Sequence, residues 1–443
     1  MQGRWKHIKA PLSPAQTLSL GFLMTIVIGT CLLMLPVATT TPISFIDALF
    51  TATSATTVTG LVVVSTGHDF TTFGQVVIMV LIQIGGLGLM TCAMLIVILL
   101  GRKIGLKNRI LIQESFNQTS VGGIIRLVKV LFIFAIAIET VATAVLATQW
   151  VPEYGWSEGL YISIFHAISA FNNAGFSLWD DSLMGYAGNP VVNLIITASF
   201  IIGGIGFTVL YDVWKNRRFK DLALHSKIMI TGTLVVNVFS MLLIFALEFH
   251  NPNTLGALSF GDKLWASYFQ AVTPRTAGFN TLDTASLDPE TTVFLLALMF
   301  IGAGSASTGS GIKLTTFLVI VLTMIAYLRG RKEPVVFSRS LSVPLIERAL
   351  TIALISGLAV FVGIFFLTMT EEAPFNEIIF EVFSAFGTVG LSLGLTADLS
   401  TWGKLVIIVI MFIGRVGPVT LAFALGKPRE DRVRYAKGDI FTG

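Results

Sequence analysis

Charged residues are scarce in this chain of 443 residues: Asp, Glu, Lys and Arg make up 12% of it, against 54% hydrophobic residues. A soluble core needs a polar shell, and too few polar side chains are present to build one. Apolar stretches of roughly 20 residues, the length a helix needs to cross a bilayer, instead follow one another along the chain. The composition excludes a soluble domain and describes a polytopic membrane protein. Cysteine is nearly absent. Cys31 and Cys92 fall inside separate expected spans, which excludes a disulfide framework and leaves both as small core residues. The 5 histidines are scattered without metal-ligand spacing. No span carries the carboxylate-histidine or metal-ligand pattern that hydrolysis requires, so the sequence does not read as an enzyme. The net charge of +4 is spread over short segments between apolar spans, which fits membrane topology better than nucleic-acid binding.

Hydropathy marks eight long helices, over 15–36, 74–101, 124–150, 189–214, 228–249, 291–328, 346–370 and 402–426. The amino-terminal MQGRWKHIKAPLSP is basic, but the apolar run behind it is a full span without a small-residue cleavage site, so a retained first helix is expected. Arg4, Lys6, Lys9, Arg102, Lys103, Lys107, Arg109, Lys215, Arg217, Arg218, Lys220, Arg329, Arg331, Lys332, Lys427, Arg429, Arg432 and Arg434 all fall on one side of these spans. That side is expected to be cytoplasmic, with both termini on it. Carboxylates dominate the other side, where Lys263 and Lys404 are among the few basic residues.

Between the paired spans lie four apolar runs too short to cross, each ending in a related string: "TTVTGL" (56–61), "FNNAGF" (171–176), "PRTAGF" (274–279) and "FGTVGL" (386–391). Alignment on Gly60, Gly175, Gly278 and Gly390 places an aromatic ten residues earlier in every copy: Phe50, Phe165, Tyr268 and Phe380. Ser54, Ser169 and Ser384 share the position six residues before, and a bulky residue follows each glycine. A second glycine pattern, "IGGLG", "IGGIG", "IGAGS" and "IGRVG", comes about 25 residues later. One such string alone is a loop glycine. Four in register describe one unit written four times: helix, re-entrant half-helix, glycine turn, helix. The expected fold is therefore an all-α integral membrane protein of eight transmembrane helices and four half-helices around one central pore. Its divisions are a cytoplasmic segment 1–14, repeats 15–108, 109–220, 221–332 and 333–426, and a cytoplasmic tail 427–443.

A dehydrated cation at membrane depth needs oxygens to replace its water, and backbone carbonyls supply them only where a non-helical segment lines a protein-enclosed cavity. Turning neighbouring carbonyls toward one axis demands positive φ, which glycine reaches without steric cost. Candidate carbonyl donors are Thr57, Val58, Thr59 and Gly60; Asn173, Ala174 and Gly175, with Asn172 before them; Thr276, Ala277 and Gly278; and Thr388, Val389 and Gly390. No carboxylate lies within the three residues before any of these glycines, and divalent cations want carboxylate oxygens, so a monovalent cation fits better. Each half-helix also points its carboxy-terminal, partly negative end at the cavity.

These motifs resemble, over essentially the whole chain, the ion-translocating membrane subunit of the Trk/Ktr/HKT superfamily of potassium transporters, nearest the bacterial KtrB type. Chain length and the absence of two further amino-terminal spans resemble Ktr more than Trk. The resemblance implies that Gly60, Gly175, Gly278 and Gly390 are the four filter glycines and that potassium is the transported ion, held by filter carbonyls, with no cofactor in this chain. It also implies a homodimer in the plasma membrane of a prokaryote and a cytosolic ring of RCK-type, KtrA-like subunits that binds the regulatory nucleotide. The basic loops and the tail "GKPREDRVRYAKGDIFTG" offer docking surface for that ring.

The sixth span runs into "IGAGSASTGSGIK" (301–313). Its residues Gly302, Ala303, Gly304, Ser305, Ala306, Ser307, Thr308, Gly309, Ser310 and Gly311 include no bulky side chain. Glycine costs a helix interior about 1 kcal/mol, so a continuous helix is a poor fit. A cavity-lining loop and close helix packing through small residues are both open readings. The resemblance selects the first and implies an intramembrane gate beneath the filter. A superficial G-x-G here has no preceding strand and does not read as a phosphate loop. Arg415, near the middle of the last span, stands where the other copies carry Gly86, Gly204 and Ala303. A charge there faces a cavity or partners; either it meets the ion path at the gate or it links to carboxylates or carbonyls. Lys313 either joins it or snorkels to the cytoplasm. Glu381 and His166, each nine residues before a glycine, read as braces of the filter, and Arg275 as a cap on its own half-helix. Glu139 is a further polar candidate. A sodium-coupled secondary transporter, with the broken helices forming an occluded site, is the alternative reading.

Overall fold

The computed structural model describes residues 13–88, Cys92, 124–331 and 333–425. The amino-terminal segment, the basic residues at 102–109, Lys332 and the tail from 426 onward lie outside the described residues, as does the boundary between the first two divisions.

Among the described residues, four helices are long and apolar enough to cross a membrane unaided: α1 (Pro14–Leu33), α4 (Ile124–Tyr154), α8 (Leu224–Glu248) and α12 (Val343–Thr370). Each is followed by a short, largely buried helix: α2 (Phe45–Thr57), α5 (Trp156–Phe171), α9 (Phe260–Val272) and α13 (Phe375–Gly387). The third residue of every one is acidic (Asp47, Glu158, Asp262, Glu377), and Ser44 and Ser259 accept from the backbone N–H of Asp47 and Asp262. Negative charge at a helix start complements its partial positive charge, so these four amino-terminal ends are marked chemically.

The second helix of each unit departs from the sequence reading. Unbroken spans were expected over 74–101, 189–214 and 402–426. Instead α3 (Thr72–Leu87) ends at Gly88; α6 (Pro190–Ile205) ends at Gly206, beyond which α7 (Phe207–Lys215) leaves at 94°; and α15 (Thr401–Val416) ends at Gly417 before α16 (Pro418–Leu425). The φ values of 85°, 107° and 89° at these glycines are the reason, since a right-handed helix cannot pass through positive φ. Each breaking glycine is the last letter of "IGGLG", "IGGIG" or "IGRVG". In the third unit α10 (Pro289–Phe300) and α11 (Leu314–Leu328) are separated by the expected loop.

A second departure is a small hairpin, β1 (Val335–Val336) with β2 (Arg339–Ser340), in an otherwise helical fold. Phe337 and Ser338 form its turn with both φ values positive, as a tight two-residue hairpin turn requires. A four-residue helix, α14 (Leu395–Asp398), links the last glycine turn to α15.

Each second helix packs on the short helix of the next unit: α3 on α5, α6 on α9, α10 on α13, and α15 on α2. The order is cyclic. Buried aromatics fill the wedges, with Phe50, Phe165 and Phe380 at 0% exposure and Tyr268 half-buried. Outward faces of α1, α4, α8 and α12 expose residues such as Met24, Ile133, Leu242 and Leu354, a surface that only an apolar solvent tolerates over such lengths.

Candidate functional site

Cyclic packing brings the four glycine turns together. A Cβ built on Gly60 would strike the Ala174 carbonyl oxygen and lie 3.1 Å from the Gly175 Cα. One on Gly175 would lie 2.8 Å from the Gly278 Cα and 2.9 Å from the Ala277 oxygen. One on Gly278 would strike the Val389 oxygen, and one on Gly390 the Thr59 oxygen, 3.1 Å from the Gly60 Cα. Every glycine thus faces the carbonyl just before the next glycine, in a closed ring. All four have positive φ, 89°, 70°, 78° and 95°. So do Val58, Asn173, Thr276 and Thr388, the residue two places before each. A left-handed β-branched residue costs on the order of 1–3 kcal/mol and persists only where packing over-determines it. The strain is repeated in the same register in all four turns.

Local hydrogen bonds impose that geometry. The N–H before the glycine donates to the carbonyl five residues back in three turns (Thr59 to Ser54, Ala174 to Ser169, Val389 to Ser384, each 2.8 Å) and four residues back in the third (Ala277 to Thr273, 3.0 Å). The shared serines brace the turns: Ser54 and Ser384 hydroxyls accept from the Gly60 and Gly390 N–H at 3.1 Å, and Ser169 donates to the Phe176 carbonyl at 2.7 Å. In the third turn Thr273, displaced by one position, donates to the Phe279 carbonyl instead. Thr57 and Thr59 pair their hydroxyls at 2.8 Å. Those hydroxyls are used within the first turn, leaving the Thr59 backbone oxygen to face the fourth.

His166 and Glu381 both reach the hydroxyl two residues past their glycine. His166 Nε2 lies 3.1 Å from Ser177 Oγ, and Glu381 accepts from Ser392 at 2.8 Å and from Thr396 at 2.5 Å. Arg275 does not cap its half-helix. Its guanidinium donates to Asn237 Oδ1 on α8 at 2.7 Å.

The loop 301–313 lies against these turns and is itself ordered by hydrogen bonds. Gly304 N–H donates to the Gly204 carbonyl at 2.7 Å, Thr308 N–H to the Gly203 carbonyl at 3.2 Å, and Phe207 N–H to the Ala306 carbonyl at 2.8 Å. The break at Gly206 is what frees these groups of α6 and α7 to receive the loop. Arg415 donates to the carbonyls of Thr308 and Gly85, to Ser310 Oγ at 3.1 Å and to the Gly86 carbonyl at 3.4 Å. Its guanidinium clamps the loop to the end of α3. Lys313 points to the loop and not to solvent, with Nζ donating to the Gly309 carbonyl at 2.8 Å.

Sequence reasoning missed a polar network behind the second turn. Glu139 on α4 accepts from Gln83 on α3 at 2.9 Å and from Asn172 at 3.2 Å, while Asn172 also donates to Gln83 at 2.7 Å. The available signal was an amide, Gln83, in the middle of an apolar span. Among the described residues, no group of three or more His, Cys, Asp or Glu is arranged to hold a metal ion.

A membrane protein of short buried helices converging on one ring of backbone oxygens, with a clamped loop beside it, is the class this geometry defines. Residues 9–435 match the model of a family described as "Cation transport protein", and the chain belongs to that family. It is 64% identical to the Ktr system potassium uptake protein B of Bacillus subtilis, over 97% of each chain. It is 42% identical to the protein of the same name from Vibrio alginolyticus, over 99% of this chain and 97% of that one. With the potassium/sodium uptake protein NtpJ of Enterococcus hirae the identity is 38%, over 99% of both. The crystal structure of the potassium transporter TrkH from Vibrio parahaemolyticus has the same fold, with a TM-score of 0.73 and 22% identity over 96% of this chain and 87% of that one.

Proposed function

We propose that this protein takes up potassium across the plasma membrane of a prokaryote through a channel-like pore, and that it is a transporter, not an enzyme. Four repeats surround one axis, and the carbonyls at 57–60, 173–175, 276–278 and 388–390 form the selectivity filter. The observation that carries this reading is the closed ring in which each glycine abuts the carbonyl preceding the next. Backbone oxygens without a neighbouring carboxylate suit a monovalent cation, and the partly negative carboxy-terminal ends of α2, α5, α9 and α13 lower its barrier. The names of the relatives support potassium as the ion.

Residues 302–311 act as the gate. Arg415 and Lys313 hold it closed through carbonyl hydrogen bonds and raise the barrier to a cation by repulsion. A pore open at all times would collapse the membrane potential, so its control is assigned to a cytosolic RCK-type, KtrA-like ring that binds the nucleotide, beneath a homodimer whose termini are cytoplasmic. The relatives' description as parts of a Ktr system supports a partner. A sodium-coupled transporter remains the second reading, favoured by the potassium/sodium name of one relative.

The test is rubidium uptake into liposomes containing this protein, driven by a potassium gradient and competed with external potassium or sodium. Competition by potassium but not sodium, lost in Gly60→Ser, is the expected result. Uptake that requires a sodium gradient would favour coupled transport, and unchanged ion preference in a folded Gly60→Ser protein would remove the filter assignment.

A further inference from the structure

One side chain joins the loop to the glycine turns. Thr308 Oγ1 donates to Asn173 Oδ1 at 2.7 Å, and Asn173 Nδ2 donates in turn to Thr276 Oγ1 at 3.3 Å. The three residues are 0%, 1% and 0% exposed, so no bulk water competes for these bonds. Asn173 and Thr276 are the left-handed residues of the second and third turns, with φ of 58° and 70°. The residues at that place in the first and fourth turns, Val58 and Thr388, have no amide with which to donate and accept at once. Asparagine also tolerates the left-handed region better than most residues, so one residue serves the backbone and the link.

Surrounding glycines keep the link unobstructed. A Cβ on Gly203 would lie 2.9 Å from Thr308 Oγ1 and 3.1 Å from Asn173 Oδ1. A Cβ on Gly309 would strike Thr276 Oγ1. The loop therefore touches the second turn through a hydrogen bond and the third through direct packing. Thr308 is also the residue whose carbonyl Arg415 grips and whose N–H is held by Gly203.

We infer that Asn173 is a positioning residue through which the 302–311 loop sets the ion preference of the filter. The inference rests on the filter and gate reading above. The chain Thr308–Asn173–Thr276 holds the second and third turns at fixed separation, and it stays made while the rest of the loop shifts to let ions pass. Without the Thr308 donor, Asn173 Oδ1 is left unpaired in a buried site, the two turns relax, and discrimination weakens. Ion preference is then set by the loop as well as by the four glycines.

The experiment measures the ratio of potassium to sodium competition against rubidium uptake in liposomes, with flux recorded separately. Thr308→Val removes the hydroxyl at nearly constant shape, and Asn173→Gly removes the amide while keeping the left-handed backbone accessible. Each is expected to lower the ratio about three- to tenfold, the equivalent of one net hydrogen bond. The double variant is expected to lower it no further than the larger single effect, and Thr308→Ser to retain the native ratio. If Asn173→Gly does not fold, Thr276→Val paired with Thr308→Val supplies the same cycle. A native ratio with raised flux in Thr308→Val would reduce the loop to a gate and overturn the inference, as would fully additive effects. Gly60→Ser is run in parallel. If it shifts the ratio and Thr308→Val does not, only the coupling fails; if it shifts nothing, the filter reading falls and takes the coupling with it.

Discussion

Lys404 Nζ sits 2.8 Å from Asp47 Oδ1, joining α15 to the first turn of α2 across 357 residues of sequence. Both side chains are less than one-fifth exposed, at 17% and 18%. The pair closes the cycle of packed units between the fourth and the first, next to Ser44, which donates to the other carboxylate oxygen at 2.7 Å. Lys404→Met strands the Asp47 charge in a half-buried site and is expected to lower stability by roughly 1–2 kcal/mol, between the values for exposed and fully buried pairs. Thermal unfolding in detergent reads this. The double variant Asp47→Asn with Lys404→Met should recover part of the loss, and simple additivity would mean the two groups do not interact.

Gly206→Ala tests the bend between α6 and α7. A Cβ there meets the Ser305 carbonyl oxygen at 2.6 Å, and φ is 107°. The expected loss is about 2 kcal/mol from backbone strain alone. Gly185, with ordinary φ and open space around the position of a Cβ, is the control, and Gly185→Ala should melt as the native protein does. Equal melting of the two variants would show that the bend does not depend on glycine.

Arg415→Ala removes hydrogen bonds to Thr308, Gly85 and Ser310 at once. Charge-assisted bonds are each worth roughly 1.5–3 kcal/mol, so on the gate reading proposed above the clamped loop should lose at least that and rubidium flux should rise about tenfold or more. Arg415→Lys keeps the charge but not the forked geometry that reaches two segments, and its flux should fall between the two. Equal or lower flux in Arg415→Ala at matched protein density would count against a clamp.

Glu139 is held by the two amides of Gln83 and Asn172, with no cation bonded to it among the described residues. Glu139→Gln retains the accepting oxygen and is expected to keep native stability and flux. Glu139→Leu strands the Gln83 amide, while Asn172 keeps its bond to Gln83, and should cost about 1–3 kcal/mol. Loss of transport in a folded Glu139→Gln protein would show that the charge, not the hydrogen bond, is what matters there.

Much of this architecture was legible before any coordinates. The four turns could be aligned because positive φ is an intrinsic demand on the backbone that glycine answers by itself, so the same letter recurs wherever the same turn is built. The serines were legible for a related reason, since they bond within their own loop. The breaks at Gly88, Gly206 and Gly417 were written in the same strings but read as repeat marks, because an apolar run of the right length looks continuous whether or not it bends. Thr273 escaped notice because the third turn closes one residue tighter than the others.

Composition and the spacing of glycines by themselves determined that this is a membrane protein with four like units, each bearing a strained turn, since both follow from local chemistry and from the length of an apolar run. Tertiary structure alone decided which groups those turns face. That Asn173 bridges Thr276 and Thr308, that Arg415 reaches Gly85, and that Arg275 turns to Asn237 depend on side chains brought together from distant segments. Hydrogen bonds of that kind leave no period or spacing in a sequence, because their geometry exists only once the helices have packed.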